Sequence, residues 1–163
     1  MFLETGRFGN IEIAEEKTIN FSEGIPGFEK LKRFVLLQSE ETKPVCWLQS
    51  LDDGNVSLSV IDPFLVLDDY SLDVGERELL GLKVKDAEDI FVVNVVVIPE
   101  DIRNITINLA APIIINVPQG LGKQIVIENC EYPTRYPMFK ELCKILDMQE
   151  GVEGNAGTVP QAK

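Results

Sequence analysis

Residues 47–64 read WLQSLDDGNVSLSVIDPF, two runs of strand-forming residues separated by Asp52-Asp53-Gly54-Asn55. Asp and Asn hydrogen-bond to their own backbone and tolerate left-handed dihedrals, and glycine reaches positive φ at no steric cost. The tetrad therefore predicts a hairpin, with one strand ending at Leu51 and the next beginning at Val56. Asp62 precedes Pro63, which biases it to an extended conformation at the end of that second strand. Paired carboxylates can also do acid–base work, but only where their surroundings push two pKa values apart, and spacing alone does not supply that. The three aspartates are read as turn chemistry.

The rest of the chain repeats this pattern. Ile11–Ile13, Thr18–Phe21, Phe34–Leu37, Val45–Leu48, Phe91–Ile98, Ile105–Leu109, Ile113–Val117 and Gln124–Glu128 are strand-like and bounded by Gly, Pro, Asn or Asp. Strands this closely spaced, without intervening long helices, predict an all-β, mainly antiparallel sandwich or barrel. One or two short helices are expected beside it. Pro26–Arg33 suits a turn or two, and a C-terminal helix is expected to begin at Pro137, with Phe139, Leu142, Cys143 and Leu146 along one apolar face. Residues 1–148 are read as one domain, and 149–163, where apolar content collapses, as a disordered tail.

Composition narrows the function. The 163 residues carry 27 acids against 15 bases, a net charge of −12. Binding to nucleic acid or to an anionic membrane is disfavoured by sign, whereas a basic protein partner would be steered in. The charge is concentrated: nine acids and three bases lie between Asp68 and Glu100, interleaved with Tyr70, Leu72, Val74, Leu79 and Leu80. No basic, then apolar, leader opens the sequence, and no apolar run is long enough to span a bilayer, so the cytoplasm is the expected compartment. The odd, scattered Cys46, Cys130 and Cys143 are expected to be buried free thiols rather than disulfides.

Familiar chemistry is missing. The chain has no histidine, so neither a serine nucleophile with a histidine base nor a zinc site in a familiar pattern can be assembled. Gly120-Leu121-Gly122-Lys123-Gln124 only superficially resembles a phosphate loop. Val117 stands where the first glycine belongs, and Gln124 stands where the metal-binding Ser or Thr belongs. Asp52-Asp53-Gly54-Asn55 lacks the ligand spacing of a helical calcium loop. No cofactor is expected. What remains is a small acidic binding module, with a carboxylate-dependent β-barrel enzyme as the alternative.

The order of motifs is more specific than any one of them. Gly6-Arg7-Phe8-Gly9 is followed by Phe21-Ser22-Glu23-Gly24-Ile25-Pro26-Gly27-Phe28, then Trp47–Asp53 and Val60-Ile61-Asp62-Pro63-Phe64. Asn108-Leu109-Ala110-Ala111-Pro112, Asn116 and Tyr132-Pro133-Thr134-Arg135-Tyr136 complete the series. From about Phe2 to Leu146 this resembles the flagellar assembly factor FliW family. The resemblance implies a cytoplasmic, non-enzymatic protein, expected to be monomeric when free. Its implied partners are flagellin and CsrA, a basic RNA-binding repressor of flagellin translation. Given the CsrA partner that the resemblance implies, the charge concentration, rather than a family motif, places that contact at Asp68, Asp69, Tyr70, Asp73, Glu76 and Glu78. Phe64, Leu65 and Tyr70 are the candidates for flagellin.

Overall fold

The computed structural model describes residues 1–71, 74–127 and 131–155. Among them the chain forms β1 (Phe2–Thr5), β2 (Gly9–Glu12), β3 (Ile19–Asn20), β4 (Arg33–Gln38), β5 (Cys46–Ser50), β6 (Ser57–Ile61), α1 (Pro63–Val66), α2 (Glu76–Gly81), β7 (Ile90–Val97), β8 (Thr106–Ile107), β9 (Ile113–Asn116), β10 (Leu121–Gln124), β11 (Tyr136–Pro137) and α3 (Phe139–Asn155). Strands β3-β4-β5-β6-β7-β9-β10 close into a barrel. Its pairings are antiparallel except the closing one, where Leu121 of β10 lies beside Asn20 of β3 in parallel.

Alternation places every second side chain inside. Phe34 of β4, Leu48 of β5, Val60 of β6, Val93 of β7 and Ile113 and Ile115 of β9 form one buried cluster with Ile19 and Phe21. Gly122 faces Phe21 so closely that a Cβ there would lie 2.6 Å from the ring, which Phe34 already holds edge-on. The barrel thus closes only because β10 lacks a side chain at this point. The β1–β2 hairpin packs on the outer face of β4, where Leu3, Ile11 and Ile13 cover Val35 and Leu51.

The opening stretch folds as the expected hairpin, with Cys46 opposite Val60 and Gln49 opposite Ser57. Its turn works differently from the sequence expectation in two respects. Asp53 behaves as expected and accepts from the Asn55 N–H at 3.0 Å. Gly54 is not among the residues of positive φ; a Cβ there would instead strike the Glu4 carbonyl at 2.0 Å, because β1 crosses the turn. Asp52 reaches out of the hairpin and accepts from the Lys32 and Arg33 N–H groups at 2.8 and 3.0 Å and from Arg33 Nε at 2.9 Å. Partial burial alone would raise its pKa, but those hydrogen bonds and the Arg33 charge outweigh it and hold the carboxyl below its ordinary range. Asp62 does more than end a strand: it caps α1, accepting from the Phe64 N–H at 2.9 Å, with Pro63 as the first helical residue.

The other end of β7 leaves the barrel. Val93 faces Ile113 of β9, whereas Val96 faces Ile107 of β8. Five residues, 108–112, therefore oppose only Asn94 and Val95, and the strand bulges. A buried bulge must satisfy its carbonyls, and here each one has a donor. Asn94 Nδ2 donates to Asn108 O at 2.8 Å, and the Tyr70 hydroxyl donates to Leu109 O at 2.6 Å. Ile127 N–H donates to Ala110 O, Gln124 Nε2 to Ala111 O and Ile125 N–H to Pro112 O. Beyond the bulge, β8, β11, α1 and α3 enclose a second core around Ile61, Val66, Tyr70, Ile107, Met138 and Leu142.

Several expected boundaries move. The strand expected over Gln124–Glu128 is β10 at Leu121–Gln124, although Ile125 and Ile127 go on bonding to the bulge. Residues 26–33 form turns rather than a helix before entering β4 at Arg33. Pro137 is not the first helical residue: it pairs with Thr106 in β11, and α3 starts at Phe139. Helix α3 runs on to Asn155, through the first seven residues of the expected tail, and 156–163 lie outside the described residues. Cys46 and Cys143 are free and half-buried; the expected free thiol Cys130 lies outside the described residues.

Two outcomes follow from these contacts. Tyr70→Phe keeps the ring and strands the Leu109 carbonyl, and should cost about 1–3 kcal/mol in urea denaturation. Asp52→Ala should cost about 1 kcal/mol at neutral pH, discounted for exposure. Because its folded pKa is depressed, the wild-type contribution is complete above about pH 4, the unfolded value, and is lost as pH falls through the lower folded value. The gap between wild type and Asp52→Ala should therefore close in acid.

Candidate partner-binding surface

The acidic segment begins where β6 turns into α1. Four helical residues put Pro63 and Val66 inside and leave Phe64 40% and Leu65 47% exposed. Tyr70 lies beneath them, only 4% exposed, its ring 5.7 Å from Phe64 and 4.8 Å from Tyr132. It was expected at the contact surface, but its hydroxyl is committed to the bulge and its ring to the second core. Tyr70 therefore carries Phe64 from below. The Tyr132 hydroxyl accepts from the Ser71 N–H at 3.0 Å and fixes the chain just after Tyr70.

Asp68 and Asp69 are exposed, on the turn that follows α1. Asp73 lies outside the described residues. Helix α2 follows, with Glu76 and Arg77 exposed and Leu80 standing 74% exposed. Glu78 differs from its neighbours: it is half-buried and ion-paired to Lys123, which also holds Glu23 at 2.9 Å. Hydrogen bonds from the Lys123 ammonium to Glu78 and then Glu23 raise the lysine pKa further above its usual value. Glu78 thus fastens α2 to β10, a tie that no local pattern announced, since the partner lies 45 positions away. The C-terminal end of α2 is fixed by buried Asn116, whose Nδ2 donates to Leu82 O at 2.8 Å and Lys83 O at 3.2 Å. Lys83 has φ of 56°, which turns the chain away there.

The expected residues thus divide. Phe64, Leu65, Asp68, Asp69 and Glu76 are solvent-facing, while Tyr70 and Glu78 are tied into the fold. Nothing in this arrangement resembles acid–base machinery. The three aspartates of the opening stretch each accept from backbone N–H groups, and among the described residues no group of three or more Cys, Asp or Glu is placed to hold a metal. Among the described residues, no helix is long and apolar enough to cross a membrane.

A feature the sequence did not announce lies at one end of the barrel. The other end is plugged by the 21–28 turn, with Phe21 and Ile25 buried. At this end Leu36, Cys46 and Phe91, all facing inward, are only half-buried. Two hollows open here. One, of about 270 Å³, is lined by Ile19, Leu36, Phe91, Ile115 and Val117 among others. The second, of about 240 Å³, is lined by Pro44, Cys46, Leu65, Phe91 and Val93 among others. Burial raises the Cys46 thiol pKa above its ordinary value, so it behaves as an apolar wall.

Comparison with known proteins agrees with the architecture. A family model described as FliW protein matches residues 2–138. The flagellar assembly factor FliW of Clostridium kluyveri is 42% identical over 140 residues, covering 86% of this chain and 97% of that relative. That of Clostridium tetani is 42% identical over 141 residues, with the same coverage. A crystal structure of the flagellar assembly factor FliW superposes with a TM-score of 0.81 at 34% identity, over 85% of this chain and 97% of the other. The ordered motifs, the closed barrel with its bulge and these matches converge: the chain belongs to the FliW family of flagellar assembly factors.

Proposed function

We propose that the chain works in the cytoplasm as a non-enzymatic binding protein with two partners, flagellin and the basic regulator CsrA. By occupying CsrA it relieves repression of flagellin mRNA translation, and flagellin takes it away from CsrA as flagellin accumulates. The observation that carries this reading is the exposure of Asp68 and Asp69 close after the exposed Phe64 and Leu65, with Glu76 exposed on α2. A protein that binds RNA must be basic, and an acidic surface is complementary to it in charge. Asp68, Asp69 and Glu76 are assigned to the CsrA contact, together with Asp73. Phe64 and Leu65 are assigned to flagellin. Direct binding to nucleic acid or membrane has the wrong sign of charge, and the free chain is expected to be a monomer.

Size-exclusion chromatography with purified flagellin and purified CsrA tests the assignment. Discrete complexes with each are expected, and failure to bind either would return the carboxylate-enzyme alternative. Charge reversal at Asp69 and Glu76 together should weaken CsrA at least about tenfold, roughly 1.4 kcal/mol, and flatten the salt dependence of binding. CsrA affinity unchanged in that variant would remove the acidic run from the contact.

A further inference from the structure

We infer that the open end of the barrel is the seat of flagellin's apolar segment, which enters as an amphipathic helix with one side chain on each side of Phe91. The inference rests on the reading above that the chain binds flagellin, and it adds where and in what form. The two hollows share Phe91 as a common wall. Leu65 lines one hollow and Val117 the other, and both side chains are largely exposed, Val117 to 61%. The apolar surface is therefore continuous from α1, across Phe91, to the turn that follows β9. A surface with two adjoining hollows suits paired anchors on one helix face, at positions i and i+3 or i+4, rather than a flat strand.

Charge narrows the occupant further. Glu16 and Asp62 line the hollows and Asp68 and Asp69 follow α1, against Lys17 and Lys43, and Lys43 is itself 3.9 Å from Glu40. A helix whose polar flanks carry lysine or arginine fits this rim, and an acidic one does not. A second copy of this chain, at −12, is the poorer candidate on the same ground.

Binding of flagellin to wild type, Leu65→Glu, Val117→Glu and Val126→Glu tests the seat by titration calorimetry. Val126 is equally exposed but sits past β10, toward the plugged end. Leu65→Glu and Val117→Glu should each weaken flagellin at least tenfold, with melting temperatures unchanged, and Val126→Glu should leave it unaltered. In the wild-type complex, alkylation of Cys46 should slow while that of Cys143 does not, read by peptide mass spectrometry. If wild type binds flagellin and both groove variants bind it equally well, the seat is overturned while the binding reading stands. If wild type binds no flagellin at all, both fall. If wild type self-associates and Val117→Glu abolishes that instead, the occupant is a second copy and the inference is overturned.

Discussion

The structure turns on the five-residue bulge between β8 and β9. A barrel strand cannot release five buried carbonyls without providing five donors, because each unmet carbonyl would cost as much as a lost hydrogen bond. Three of the donors are side chains, Asn94, Tyr70 and Gln124, from different parts of the chain. The bulge lets β7 serve two cores, the barrel on one half and the α1–α3 cluster on the other. Tyr70 is the point where this requirement meets the surface. Its hydroxyl repairs the bulge while its ring supports Phe64, so the exposed run after α1 inherits the rigidity of the barrel.

Legibility in the sequence followed the range of the interaction. The apolar, β-branched-rich runs Phe34–Leu37 and Ile113–Val117, and the Asp-Asp-Gly-Asn turn, are local signals, and these strands and the hairpin stand where they are expected. Helices α1 and α2 went unread because four and six residues give too little periodicity to distinguish from turns. Pro137 misled because its ring suits both a helix start and an edge strand, and the two-residue pairing with Thr106 decided for the strand. Tyr70 and Glu78 counted as contacts because an aromatic and a carboxylate inside an acidic run look alike from the sequence. Their partners, Leu109 and Lys123, are about 40 positions away. Gly54 shows the same blindness: its glycine is demanded by Glu4 of β1, which belongs to a different hairpin.

The charge distribution gains meaning from this division of labour. Carboxylates that have structural work, Asp52, Asp62 and Glu78, are each held by a backbone donor or a cation within the chain. Asp68, Asp69 and Glu76 have no such partner and stay exposed, the first two close after the exposed Phe64 and Leu65.

The parallel closure of the barrel has a bearing on how the chain is made. Asn20 donates through its backbone N–H to Gly120 across one hundred positions, and β10 is the strand that gives β3 its second neighbour. During synthesis the sheet can grow by hairpins from β3 through β9 as each emerges, but β3 stays an open edge until residues 120–124 have left the ribosome. Contacts of such sequence separation form late and slowly. For most of its birth the protein is a curled, one-edged sheet, and Gly122 sliding over Phe21 is the step that makes it a barrel.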